Sequence, residues 1–207
     1  MQWTWTLLIL IVIFFVTVGM YKHQLNGVPK QGVVPLCKSF DTVGPITKTV
    51  EDAALIFSVI TGNKPVDLQY RSIVGGTLAL LKGTALDDLH QKPAIAFEQT
   101  VSTLSKFGFE IKEIDIEEVE SALALSSVLY PSEAYAEWRE EIEASPELMY
   151  DEILQRFRAG KDVSATDYLN AKRDLETFKK KFYDKVSMFD VIILPTCPIL
   201  PPNLERL

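Results

Sequence analysis

The side chains best suited to covalent chemistry sit close together: Cys37, Lys38, Ser39 and Asp41. A thiol or hydroxyl becomes a nucleophile when a base takes its proton and donors stabilise the oxyanion that forms. Ser39 has Lys38 and Asp41 as neighbours. Groups this near in one loop need not converge on one hydrogen-bonded constellation, so the spacing predicts a structural role for Ser39. Cys37 would need a histidine or another base beside it, and its neighbours in sequence supply none. His23 and His90 are the only histidines, which leaves almost no material for imidazole triads or histidine metal sites. Cys37 and Cys197 are the only cysteines; their separation gives neither a zinc spacing nor a disulfide framework, and they read as reduced thiols. Carboxylates are plentiful on predicted helices, but no pair has a distinguishing context. No catalytic, cofactor-binding or metal-ligating residue is assigned, and no cofactor is expected.

The elements that must position these side chains begin with an irregular stretch. Pro35 and Pro45 each remove a backbone donor, and Gly44-Pro45 is a strong turn signal. Asp41 and Thr42 can bond back to nearby backbone N–H groups and hold the loop. A helix then follows: Thr49 with Asp52 resembles a capping box, and Glu51 and Asp52 suit the positive end of the helix dipole. Val50, Ala53, Ala54, Phe57 and Ile60 make an apolar stripe at helical spacing, and Gly62 stands where a left-handed residue closes a helix.

The whole stretch PLCKSFDTVGPITKTVEDAALIFSVITG resembles the segment after the catalytic loop of the amidase signature hydrolases, which include the A subunits of aminoacyl-tRNA amidotransferases. The family pattern is close to P-L-S-x-S-x-D-T-x-G-P, a hydrophobic residue, then x-[RK]-x-V-x-D-A. It is matched at Pro35, Leu36, Ser39, Asp41, Thr42, Gly44, Pro45, Lys48, Val50, Asp52 and Ala53, with Cys37 where serine is usual. The resemblance runs in order from about Gly32 to Pro202. It places a strand at Tyr70–Val74, then Gly75-Gly76 as a turn, an acidic turn at Asp87-Asp88, and a helix opened by Pro93. Phe97, Val101, Leu104 and Phe107 are the buried stripe of that helix, and Gly108 stops it. Phe109–Ile116 reads as a half-buried strand.

Glu117–Ala144 reads as helix, a break near Pro131, and helix again. Tyr130 and Tyr135 resemble aromatic positions on the substrate side of some members, although ordinary packing explains them equally well. Pro146–Ala159 reads as a further helix ended by Gly160. Ser164 to Asp167 caps the longest helix, Ala165 to about Ser187, with Tyr168, Ala171, Leu175, Phe178, Phe182 and Val186 on one face. Lys172, Lys179, Lys180, Lys181 and Lys185 read as a solvated face. Phe189–Leu194 is a buried strand, and PTCPILPP after it resembles the family's proline-rich loop beside the active site.

Composition agrees with a globular domain: of 207 residues, 47% are hydrophobic and 24% charged. A net charge of −7 argues against a nucleic-acid partner. Residues 1–21 carry no charge, and the run from Trp3 to Met20 approaches the roughly 20 apolar residues a membrane helix needs. Residues 1–21 are therefore expected to form an apolar leader, a candidate transmembrane helix; a buried core segment is the alternative. The lysines after it predict a cytoplasmic bulk anchored at the membrane, with a cytoplasmic protein as the alternative.

The resemblance implies an α/β fold, a partial amidase-signature domain over residues 22–207 with a mixed sheet covered by helices, helix-rich, preceded by the apolar N-terminal helix. It also implies hydrolysis of carbon–nitrogen amide bonds through a Ser–cis-Ser–Lys triad. The GGSSGG-type loop of that triad occurs nowhere in the 207 residues. The expected protein is a truncated, inactive copy, or alternatively a membrane-anchored, non-catalytic binding module. Its expected partners are an amide small molecule and a separate chain carrying the missing catalytic half.

Overall fold

A computed structural model of the chain describes residues 28–68, 75–83, 86–201 and 203. They fall into two compact units. One comprises Gly44–Ile116 and Lys185 onward together with the chain up to Pro29; the other comprises Lys30–Val43 and Glu117–Asp184.

In the first unit, helix α1 spans Val50–Thr61 and forms as its end signals predict. Thr49 Oγ1 accepts from the Asp52 N–H at 3.0 Å, and Gly62 takes the left-handed conformation at φ 68°. Such an N-cap stabilises a helix by about 1 kcal/mol, and glycine closes the end without the strain a Cβ would bring. Ala53 is buried, and so is Ser58, which donates its hydroxyl to the Leu55 carbonyl.

Strand β1 is Thr77–Leu81, shortly after Gly75, whose φ of 85° makes the turn. The expected strand at Tyr70–Val74 lies outside the described residues. Helix α2, Gln91–Lys106, connects β1 to strand β2, Glu110–Ile114, and the two strands pair in parallel. Strand β3, Val191–Ile193, pairs in parallel with the other side of β1, giving the order β2-β1-β3. The mixed sheet expected from the resemblance is thus, among the described residues, a small parallel one. A helical crossover is what joins adjacent parallel strands, and α2 supplies it. β1 is central, and Leu78, Ala79, Leu80 and Leu81 are all buried. Leu78 and Leu80 pack with Phe97 and Ile193, and Val101, Leu104, Phe109 and Ile111 surround them. Phe107 departs from its predicted stripe: it is the C-cap residue of α2 and two-thirds exposed. The Asp190 carboxylate fixes β3 to the start of β1, accepting from the Thr77 N–H at 2.7 Å and hydroxyl at 3.1 Å.

The second unit is helical. Helix α3 is Glu118–Ala124 and α4 is Ser126–Ala144. The break falls at Leu125, and α4 runs on through Pro131. Pro131 removes one backbone donor inside the helix, yet Ser132 Oγ, donating to the Val128 carbonyl at 2.6 Å, adds a bond in the same turn. A single 3₁₀ turn at Pro146–Leu148 leads to helix α5, Asp151–Arg158, and another at Ala159–Asp162 follows it. Gly160 lies inside that second turn and is not a left-handed stop. Its reason is contact: a Cβ there would collide with the Pro131 carbonyl. Helix α6, Ala165–Val186, begins with Ser164 Oγ accepting from the Asp167 N–H at 3.1 Å. Its buried or half-buried positions are the predicted stripe, from Tyr168 through Ala171, Leu175, Phe178 and Phe182 to Val186, together with Lys172, which is half-buried and bonds inward to Ser39 rather than lying on the solvated face expected for it.

The apolar leader, residues 1–21, lies outside the described residues. Among those described, no helix is long and apolar enough to cross a membrane.

Candidate functional site

The chemically equipped loop, Lys30–Val43, is held in the second unit by its own turns and by two helices. Cys37 to Asp41 folds tightly: the N–H groups of Phe40 and Asp41 both donate to the Cys37 carbonyl, at 2.8 and 2.7 Å. The Asp41 carboxylate turns back to accept from the Leu36 N–H at 3.0 Å and the Cys37 N–H at 3.0 Å. This is the local bonding predicted for Asp41, and it commits the carboxylate to backbone donors. Lys30 Nζ donates to the Lys38 and Asp41 carbonyls from the other side, at 2.9 and 3.3 Å.

Helix α4 presents Tyr130, Glu133 and Glu137 to this loop, three and four residues apart as one helix face requires, with Trp138 next to Glu137. Glu133 Oε2 accepts from the Ser39 N–H at 2.9 Å, and Trp138 Nε1 donates to the Pro35 carbonyl at 2.7 Å. Lys38 pairs with Glu137 at 2.6 Å, and the Phe40 and Tyr130 rings stack with centroids 4.6 Å apart. Helix α6 adds Tyr168 and Lys172, one turn apart. The Tyr168 hydroxyl donates to Glu133 Oε1 at 2.7 Å, and Lys172 Nζ donates to Ser39 Oγ at 3.3 Å.

The electrostatics follow from that geometry. Burial pushes the Cys37 thiol up to about 12, reinforced by its hydrogen bond to Glu133 and the negative charge of Glu133 and Asp41. The thiol is 1% exposed and protonated near neutrality. Burial opposes ionisation of Glu133, but hydrogen bonds from the Ser39 backbone and hydroxyl, Tyr168 and Cys37 outweigh it and hold the carboxyl below its ordinary range. Burial, then the hydrogen bond to Glu133, raises the Tyr168 hydroxyl.

Cys37 and Ser39 are therefore brought together, but neither is presented as a nucleophile. The base beside the thiol is a carboxylate already receiving several donors, and Ser39 Oγ accepts from an amine. Lys38, the sequence neighbour of Ser39, points to Glu137 instead. Tyr135 donates to Glu143 Oε1 at 3.2 Å, where Arg158 also binds, so it belongs to the contact between α4 and α5. His90 donates its backbone N–H to the Pro198 carbonyl in the first unit. No group of three or more His, Cys, Asp or Glu side chains among the described residues is placed to hold a metal ion. Glu133 and Tyr168 are the tether that sequence reasoning missed; one glutamate in an acidic helix carries no mark of its role.

A parallel sheet with a helical crossover, and in the other unit a proline-bearing loop folded on an aspartate and braced by helices, make this an α/β protein with a built loop. The family model for amidases matches residues 17–207, and the chain belongs to the amidase family. It is 29% identical to an amidase of Pseudomonas putida over 196 residues, which cover 88% of this chain and 42% of that protein. It is 28% identical to the A subunit of the glutamyl-tRNA(Gln) amidotransferase of Sulfurisphaera tokodaii, over 88% of this chain and 46% of the relative. Among solved structures, an amidase superposes with a TM-score of 0.76 at 22% identity, over 86% of this chain and 40% of that one. The corresponding A subunit of Thermotoga maritima superposes at 0.62 and 20% identity, over 87% of this chain and 43% of that one. The chain thus spans less than half the length of the curated relatives it matches.

Proposed function

We propose that the chain forms the bracing part of a hydrolase acting on carbon–nitrogen amide bonds, and that its substrate is a small amide. The family match across residues 17–207 carries the reading. The loop geometry supports the bracing role: Asp41, Glu133, Lys30, Tyr168 and Trp138 all spend their polar groups on fixing the loop. The nucleophilic attack falls to family residues other than Cys37 and Ser39. The test is ammonia release from a simple amide by the purified chain, alone and with Ser39→Ala or Cys37→Ala. Neither substitution is expected to change whatever turnover the parent shows. Loss of turnover in a folded Ser39→Ala variant would overturn the assignment.

A second reading is that the chain works beside other chains in one assembly. It is favoured by relatives whose names make them A subunits of glutamyl-tRNA(Gln) amidotransferases. Co-purification of a stoichiometric partner from the native source tests it, and a lone monomer there counts against it.

A further inference from the structure

Lys172 departs from the lysines that follow it on α6. Lys179, Lys180, Lys181 and Lys185 are exposed, whereas Lys172 is half-buried and turned toward the loop. Its amine lies 5.6 Å from the centre of the Tyr168 ring, one turn back on the same helix, and donates to Ser39 Oγ at 3.3 Å. A lysine that turns inward gives up hydration, and a negative group nearby must offset that loss.

That group is Glu133, reached through the serine. Ser39 Oγ accepts from Lys172, while the Ser39 hydroxyl and backbone N–H donate to Glu133. The other acids beside the loop are already served. Glu137 pairs with Lys38 at 2.6 Å, and Asp41 accepts from the Leu36 and Cys37 N–H groups. Among the described residues, Glu133 meets a cation only across Ser39. A hydroxyl held between a cation and an anion is polarised by both, and each bond of the chain strengthens the other. Removing one charged end leaves the other half-buried without its complement.

We propose that Lys172 is a positioning residue: acting through the Ser39 hydroxyl, it completes a bridged ion pair with Glu133 that latches the loop Lys30–Val43 to α6 and keeps Cys37 covered. The bridge joins three parts of the second unit that lie far apart in the chain, the loop, α4 and α6. This holds whether or not the domain hydrolyses amides, because it concerns the position of the loop alone.

The test is maleimide labelling of Cys37 in the full-length protein at one pH, read by peptide mass. Cys37 is buried and Cys197 exposed, so every variant carries its own reference. Lys172→Met is expected to quicken labelling at Cys37 about tenfold relative to Cys197, the change in open population that one hydrogen bond from a charged group brings. Lys172→Arg keeps the charge and the donors and is expected to stay within about threefold of the parent. In a Ser39→Ala background, Lys172→Met is expected to add less than about twofold, since its route to Glu133 is already cut. Amide exchange at Ile142 and Leu154, buried in the same unit on α4 and α5, is expected to match the parent. If Lys172→Met unfolds the unit, Lys172→Gln gives the same readout. Labelling of Cys37 in Lys172→Met as slow as in the parent overturns the proposal. So does a tenfold effect that persists without the Ser39 hydroxyl, or a Lys172→Arg protein that labels as fast as Lys172→Met. Equal quickening at Ile142 and Leu154 also overturns it, because the substitution then opens the whole unit rather than the loop.

Discussion

The residue that organises the loop is Glu133, and its partners make its effect measurable. It accepts from Ser39, Tyr168 and Cys37, and those bonds lower its pKa against the pull of burial. A carboxyl lowered on folding contributes stability above its unfolded pKa and loses it as pH falls through the folded value. Glu133→Ala leaves buried donors unmet, which costs about 1–3 kcal/mol. It is expected to lower the urea midpoint at neutral pH and to flatten the decline in stability toward acid. The thiol gives the opposite sign. Cys37 is raised from 9.0 to about 12, so the unfolded chain loses that proton first and stability falls as pH rises from 9 toward 12. Tyr168, raised as well, adds to the same alkaline loss. Urea midpoints between pH 8 and about 10.5 are expected to drop less for Cys37→Ala than for the parent, within a window set by that thiol shift. Asp41's part is legible in the sequence, because an aspartate in a turn bonds to nearby backbone amides. Glu133's is not, since its partners lie 94 and 35 residues away and nothing local distinguishes it from Glu137 or Glu140.

Among the elements, helix ends are the most legible, because a cap is local chemistry. Thr49, Gly62 and Ser164 all act where their types and spacing place them. Strand β1 escapes a reading by pattern. Its run TLALL lacks the alternation of a half-buried strand because both faces are covered, and five such residues give no helical period either. Pro131 and Gly160 mislead for a shared reason. Each has the look of a local breaker, but the two meet in space, with glycine's missing side chain admitting the backbone of α4 at proline. Gly160→Ala is therefore expected to destabilise the protein by overpacking, about 1–3 kcal/mol. Gly44→Ala, where a Cβ meets nothing within 4 Å, is expected to change stability by no more than about 0.5 kcal/mol. Urea unfolding of the two variants beside the parent checks the contrast, and equal midpoints would remove the packing explanation for Gly160.

At the scale of the whole molecule, the chain leaves the first unit after Ile116 and returns at Lys185, so the sheet is completed by a strand from its far end. The resemblance orders these segments correctly from sequence alone; it cannot give strand neighbours, which depend on pairings far apart in the chain. Asp190 is the chief polar lock on that return. Its carboxylate is held below the usual aspartate range, chiefly by the Thr77 backbone N–H and then by the Thr77 hydroxyl, across 113 residues. A lowered carboxyl stabilises above its ordinary value and ceases to as pH falls through the folded one, so the lock weakens in acid. At neutral pH, Asp190→Ala removes the acceptor while leaving the register of β3 on β1 to the backbone ladder alone. Amide hydrogen exchange is expected to quicken at Thr77 and along Val191–Ile193 in that variant. Exchange at the Ser39 amide, held by Glu133 in the other unit, is expected to stay as slow as in the parent. Equal acceleration at Ser39 would mean that opening of the sheet opens the loop as well, and that the two units answer to one cooperative transition.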